Sequence, residues 1–302
     1  MTAKAVGRDL ANVVARVPRL ARRSGLELSA RRVLEGMYAG RHRSPFHGSS
    51  MDFAEHRPYQ PGDELRSIDW RAFGRTDRLL IRRYQDDRQL PLAVVLDSSA
   101  SMAYGKPAKD DIAKLAAAAL ALMAIDQGDT VQVMAGANSA HWTPALSSAS
   151  AAGRACETLF TSVSRGTADL AKVMQQVGDS LRRRTLVVLL SDLLTEVEPL
   201  AEVAAAMAAR GHEVAVIQVL DRSEIDLPTQ WGRVTLKDPE GSVPEFTCDA
   251  GRAKVAYDLA MAAHMDHCRN VLSAARADHL LLVSDEDVAQ ALGTWLAQRR
   301  RR

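Results

Sequence analysis

A doubly wound, mainly parallel α/β sheet with an N-terminal helical and loop extension is predicted by three observations. Five short bursts, at 92–96, 131–135, 186–190, 214–219 and 280–283, are apolar at nearly every position. Longer segments with helical spacing separate them, at 107–127, 168–182, 198–209 and 250–276, and a closing helix is predicted at about 286–298. Strands that lack polar alternation and take turns with helices must be covered on both faces, which is the arrangement of a parallel sheet.

Before the first burst the pattern differs. Apolar residues recur at helical spacing over 9–23 and 26–40, with Leu10, Val13, Val14, Val17 and Leu20 on one side and Gly25 as the break, so two short helices are predicted. Residues 41–77 carry turn signals at Ser44-Pro45, His47-Gly48 and Pro61-Gly62 and read as structured loop, with one strand near Phe53 and with Trp70 and Phe73 as anchors to a core. Residues 79–83 read as an edge strand, and residues 231–248 as an inserted hairpin turning around Glu240-Gly241. The chain thus divides into basic helices (1–40), a segment packing on the sheet edge (41–90) and an α/β domain (91–302).

The length of 302 residues allows one large or two modest domains. An apolar share of 47% with 25% charged residues excludes disorder, collagen and coiled-coil rod as global descriptions. The longest nearly apolar run, 115–125, is shorter than the roughly 18 residues of a membrane span and reads as a buried helix. No secretory signal pattern opens the chain. Cys156, Cys248 and Cys268 form no CxxC pair, which fits a reducing cytoplasm rather than a disulfide framework.

Net charge is only +2, but residues 1–50 hold ten Lys or Arg against three acids. A clustered positive field of this kind could serve anionic lipid, nucleic acid or an acidic protein surface, but charge runs alone are poor evidence of a partner and a solvated helical arm is the favoured reading. No nucleic-acid partner is expected from it, and peripheral membrane contact stays open.

Chemistry is sought after the strands, because ligands of open α/β sheets collect outside the carboxyl ends. The first burst runs into Asp97-Ser98-Ser99-Ala100-Ser101, a D-x-S-x-S set that aims three side-chain oxygens from one turn. Hard divalent cations such as Mg²⁺ take oxygen ligands of this kind. Asp192 follows the 186–190 burst at the same edge, and Thr167 precedes a helix. Taken singly, Thr167 reads equally well as a helix N-cap, and Ser99 and Ser101 as turn residues.

In combination these residues resemble the metal-ion-dependent adhesion site (MIDAS) of von Willebrand factor A-like domains, which are Rossmann-type sheets. The resemblance places metal ligands at Asp97, Ser99, Ser101, Thr167 and Asp192. The upstream text narrows it: Gly40-x-His42-x-Ser44, Asp52-Phe53, Arg57-x-Tyr59-x-Pro61-Gly62-Asp63-Glu64-x-Arg66-x-Ile68-Asp69-Trp70 and Arg75-Thr76 are similar to the signature of the bacterial "domain of unknown function 58" family. The resemblance covers roughly residues 38–300. Gly48-Ser49-Ser50 departs from that family's Gly-x-Gly, and residues 1–40 lack the membrane helices with which many relatives begin, which points to the soluble branch. The family implies a non-enzymatic partner of MoxR-type AAA+ ATPases in protein maturation or remodelling. In this picture a divalent ion (Mg²⁺, with Mn²⁺ or Ca²⁺ as alternatives) is held by the chain and completed by an acidic residue of a client protein.

Gly105-Lys106 lacks the glycine and hydroxyl residue of a phosphate-binding loop, so any ATPase activity belongs to a partner. His264, His267 and Cys268 have a spacing that suits zinc but lack a distant fourth ligand, and an ordinary helix face explains them. Asp221 reads as a loop carboxylate at the same crevice, and Ser284 with Asp287 as a capping box. Asp63, Arg66, Asp69 and Trp70 form either a second interaction surface or, through an Arg66–Asp69 pair, a lock on the sheet. A metal-dependent hydrolase at the same ion is the enzyme alternative, and it lacks a general base after any strand. Nucleic-acid or membrane binding through the basic N-terminus is the third.

Overall fold

The structure is a computed structural model that describes residues 33, 53–58, 70–76, 78–84, 90–135, 142–145, 147, 149–241 and 244–299. Phe53–Pro58 (β1) and Leu80–Tyr84 (β2) form an antiparallel pair on either side of a short helix, Trp70–Thr76 (α1). The strand expected near 79–83 therefore exists, but it pairs with β1 in a sheet of its own and not at the edge of the main one.

Alternation of strand and helix begins at Leu92–Leu96 (β3) and continues through Lys109–Asp126 (α2), Val131–Ala135 (β4), Ala149–Thr161 (α3) and Leu170–Ser180 (α4). Leu186–Ser191 (β5), Glu198–Ala209 (α5), Glu213–Leu220 (β6) and a single turn, Arg222–Ile225 (α6), follow. The hairpin Arg233–Leu236 (β7) and Phe246–Asp249 (β8) interrupts the series, pairing Leu236 with Phe246 and Arg233 with Asp249. Ala250–Ala274 (α7), Asp278–Val283 (β9) and Val288–Arg299 (α8) complete it.

The five strands pair in the order β4-β3-β5-β6-β9, and every pair is parallel. β3 and β5 are buried at every residue, so their continuous apolar runs reflect cover on both faces. Successive β3 residues divide between two cores. Val94 and Leu96 pack with α2, with Leu159 of α3 and with Leu292 and Trp295 of α8. Ala93 and Val95 pack with Met174 and Val177 of α4, Leu200 and Met207 of α5, and Leu272 of α7. Each fully buried Leu, Val or Met side chain contributes about 1.5–3 kcal/mol, so the two cores dominate stability.

From β3 the chain moves to β4 on one side, and it returns to β5 on the other. The loops leaving β3 and β5 therefore diverge, and the crevice between their carboxyl ends is the switch point of the sheet.

Helix α3 was not expected from the sequence. Its text is Ala-rich with few large apolar residues, yet Ala155, Cys156 and Leu159 are fully buried. Helix α4 starts later than expected, and its cap is Asp169, whose carboxylate accepts from the Lys172 amide; Thr167 is not the cap. The helices expected over 9–23 and 26–40 lie outside the described residues apart from Val33, which is helical and buried in the core that holds α2. Asp63, Arg66 and Asp69 also lie outside them, and Trp70 is the first residue of α1. Among the described residues no helix is long and apolar enough to cross a membrane.

Asp129, in the turn between α2 and β4, is 1% exposed, and burial pushes its carboxyl up from 3.8 to about 6, only partly opposed by the Leu90 backbone. The native state thus holds this proton more tightly than the unfolded chain does. Nothing is lost below the unfolded value; the penalty grows as pH rises towards 6 and is complete above it, at about 3 kcal/mol. Asp129→Asn is expected to raise the unfolding midpoint at pH 7.5 and to leave it nearly unchanged near pH 3.5. Equal gains at both pH values in thermal melts would contradict this account.

Candidate metal centre

Parallel pairing with β5 extends one step beyond β3, because the Asp97 amide donates to the Leu190 carbonyl (2.9 Å). The backbone then turns: Asp97 Oδ1 accepts from the Ser99 amide at 2.8 Å, and a 3-10 turn follows at Ala100–Ala103. This turn brings the Ser99 and Ser101 hydroxyl oxygens to 3.0 Å from each other. Two backbone bonds dock a second loop on it, Ala100 N–H to the Gly166 carbonyl and Arg165 N–H to the Ser98 carbonyl, both 2.9 Å. Gly166 takes φ +70, a conformation glycine adopts without strain, and Thr167 follows it on an exposed part of the loop.

The third loop leaves β5. Ser191 donates its hydroxyl to Asp97 Oδ2 at 2.6 Å and accepts from the Leu193 amide at 3.1 Å. Asp192 Oδ1 accepts from the Leu194 amide (3.2 Å), and the Asp192 carbonyl accepts from Gln218 Nε2 (3.1 Å). Gln218 is fully buried, and its Oε1 in turn accepts from His279 Nε2 at 3.0 Å. Burial lowers the His279 imidazole to about 4, so it is neutral at physiological pH. Leu193, completely buried, has φ 55, a left-handed conformation that costs a non-glycine residue about 1–2 kcal/mol.

Sequence reasoning missed the cation at the centre. Lys109, the first residue of α2, is fully buried; its Nζ donates to Asp192 Oδ2 at 2.8 Å and to Glu224 Oε1 at 2.6 Å. Burial alone would lower its ammonium, but the charges of Asp192 and Glu224 hold it above its ordinary value, so Lys109 is a fixed positive charge. Glu224 Oε2 accepts from the Asp221 amide, while Asp221 accepts from the Ser223 amide and hydroxyl and from the Ser284 hydroxyl (2.9 Å). Asp221 is therefore the cap of α6, in a reciprocal box with Glu224, and not a plain loop carboxylate. The box expected at Ser284 and Asp287 does not form: Asp287 alone caps, taking the Ala289 and Gln290 amides, while Ser284 turns to Asp221. Gly105 beside it takes φ +98, a conformation L side chains rarely adopt, and a Cβ there would also crowd Asp221 Oδ2 at 2.6 Å.

His264 and His267, whose spacing suits zinc but which were read as an ordinary helix face, serve separate partners. His264 Nε2 meets the Leu193 carbonyl at 2.8 Å, and His267 Nε2 meets Glu198 Oε1 at 2.7 Å. Among the described residues no three His, Cys, Asp or Glu side chains converge as a metal set. Any ion must therefore draw on hydroxyls. Neighbouring ligands of an octahedral Mg²⁺ stand about 3.0 Å apart when each bond is about 2.1 Å, and the Ser99–Ser101 pair has that spacing. Asp97 beside it is 4% exposed; burial above all lifts its carboxyl, the Ser191 hydroxyl works against that, and the Asp192 charge adds to it. A nearby dication would relieve this cost, so Asp97, Ser99 and Ser101 fit a hard cation. Asp192 stands at the same crevice with Oδ2 already on Lys109.

Fold and site together define an open parallel α/β protein with an acidic, hydroxyl-lined crevice at its switch point. The chain belongs to the family "Protein of unknown function DUF58", whose profile matches residues 55–267. It is 33% identical over 286 residues to uncharacterized proteins of Mycobacterium tuberculosis and Mycobacterium bovis, covering 91% of this chain and 88% of each relative. Among solved structures it is similar to the conserved hypothetical protein BatB of Bacteroides thetaiotaomicron, at 16% identity and TM-score 0.48, over 70% of this chain and 100% of that one.

Proposed function

We propose that this protein is a divalent-metal-dependent interaction module, a binding protein and not an enzyme. In this reading Asp97, Ser99, Ser101, Thr167 and Asp192 surround Mg²⁺, or Mn²⁺ or Ca²⁺ in its place, and an acidic side chain of another protein completes the shell. Its setting is the cytoplasm, as adaptor or co-chaperone of a MoxR-type AAA+ ATPase that matures or remodels a client.

The observation that carries the reading is the paired hydroxyls at 3.0 Å next to a buried, destabilised Asp97. Charge supports it as well: Asp192 and Glu224 hold the ammonium of Lys109 and Asp221 lies within its field, while Asp97 faces the charges of Asp192 and Glu240. Because Lys109 already shares Asp192, that carboxylate offers an ion less of its charge, and an outside carboxylate completes the shell. Beside the crevice a cleft of about 760 Å³, lined by Tyr104, Lys106, Asp221 and Asp226 among others, offers room for the residues flanking such an acid. Binding is favoured over hydrolysis because each of these carboxylates is already engaged, Asp97 with Ser99 and Ser191, Asp192 with Lys109, and Glu224 with Lys109 and Asp221.

The test is Mn²⁺ titration followed by water-proton relaxation, with capture of the ATPase measured with and without chelator. Replacing Ser99 and Ser101 together by Ala is expected to weaken Mn²⁺ at least tenfold, about 1.4 kcal/mol or more, and to abolish chelator-sensitive capture. Unchanged Mn²⁺ affinity in that double variant would defeat the reading.

A further inference from the structure

We propose that His264 is a positioning residue for the crevice: its imidazole N–H holds the Leu193 carbonyl and thereby fixes the aim of Asp192. The inference rests on the metal-binding reading above and names the contact that keeps one of its loops in shape.

A carbonyl oxygen only accepts, so the 2.8 Å contact requires the hydrogen on His264 Nε2. The same nitrogen lies 3.5 Å from the sulfur of Cys268, one turn further along α7 and fully buried, so this edge of the ring is held by two neighbours. Leu193 needs such a restraint. Its left-handed backbone is unfavourable for a branched residue, and no glycine stands there to accept it freely. Relaxation of Leu193 to the right-handed region would rotate the preceding peptide, whose carbonyl is held by Gln218, and would carry the Asp192 side chain with it. The peptide units on both sides of Leu193 are thus clamped from two directions, by Gln218 of β6 and by His264 of α7. Partners of this kind, standing behind a ligand, commonly alter metal affinity by tenfold or more without touching the ion.

Mn²⁺ affinity is measured on the full chain for the wild type, Asp97→Ala, His264→Ala, His264→Gln and His264→Asn, with circular dichroism to establish folding. The dissociation constant of His264→Ala is expected to rise about tenfold. His264→Gln, whose amide N–H reaches the same place, is expected to stay near the wild-type value, and His264→Asn, one bond shorter, to resemble His264→Ala. Should His264→Ala not fold, the contrast between Gln and Asn decides. Wild-type affinity in a folded Ala or Asn variant, or a loss in Gln as large as in Asn, overturns the role of His264. If Asp97→Ala binds Mn²⁺ as the wild type does, the metal reading falls first, a result obtained without any His264 variant.

Discussion

Replacing Lys109 by Met is expected to destabilise the protein by about 3–5 kcal/mol, measured as a lower denaturant midpoint. Lys109 has no exposed surface, and its two partners are nearly as enclosed, with 4% and 13% of their side chains exposed for Asp192 and Glu224. Met fills much of the same volume, so the loss isolates charge from packing. Two carboxylates would be left in a poorly solvated crevice without their cation, a cost well above that of a surface ion pair. Adding Asp192→Asn and Glu224→Gln to the Met variant is expected to recover a large part of the loss. A single variant that loses less than about 1 kcal/mol would show that solvent reaches these groups.

Asp97→Asn is expected to act in opposite directions on binding and on stability. The amide keeps an oxygen for the Ser99 N–H and offers its own N–H to the Ser191 hydroxyl, so the turn survives. What disappears is a buried charge beside Asp192, so the metal-free variant is expected to melt a few degrees higher than the wild type. Ion binding is expected to vanish, and with it the stabilisation that Mn²⁺ gives the wild type, about 2.7 kcal/mol at a hundredfold excess over Kd. Melting curves with and without Mn²⁺ measure both halves. A variant still stabilised by Mn²⁺ would remove Asp97 from the ligand set.

The central strands were the most legible because solvent is excluded from both of their faces. β3 and β5 bury every residue, and an unbroken apolar run is the direct imprint of that condition. Helix α3 was overlooked although Ala155, Cys156 and Leu159 recur at helical spacing, because its mostly small residues give it little apolar bulk. At the crevice, Asp97, Ser99, Ser101 and Asp192 could be found because each follows a strand whose carboxyl end is predictable. Lys109 could not. A lysine in the first turn of a helix reads as a solvated group, and only three-dimensional assembly reveals the acids, Asp192 of the β5 loop and Glu224 of α6, that enclose it. Thr167 and Ser284 show the same limit: each local reading as a cap was plausible, and tertiary neighbours gave the caps to Asp169 and Asp287.

The hydrogen bond between Ser191 and Asp97 joins residues 94 positions apart along the chain. The crevice therefore has no precursor in any short fragment: a nascent polypeptide that has emerged only as far as β4 carries the aspartate and both serines but lacks the β5 loop that orients them. If the proposed ion binds there, its capture waits until the two central strands have registered, so occupancy would report that this part of the sheet has formed.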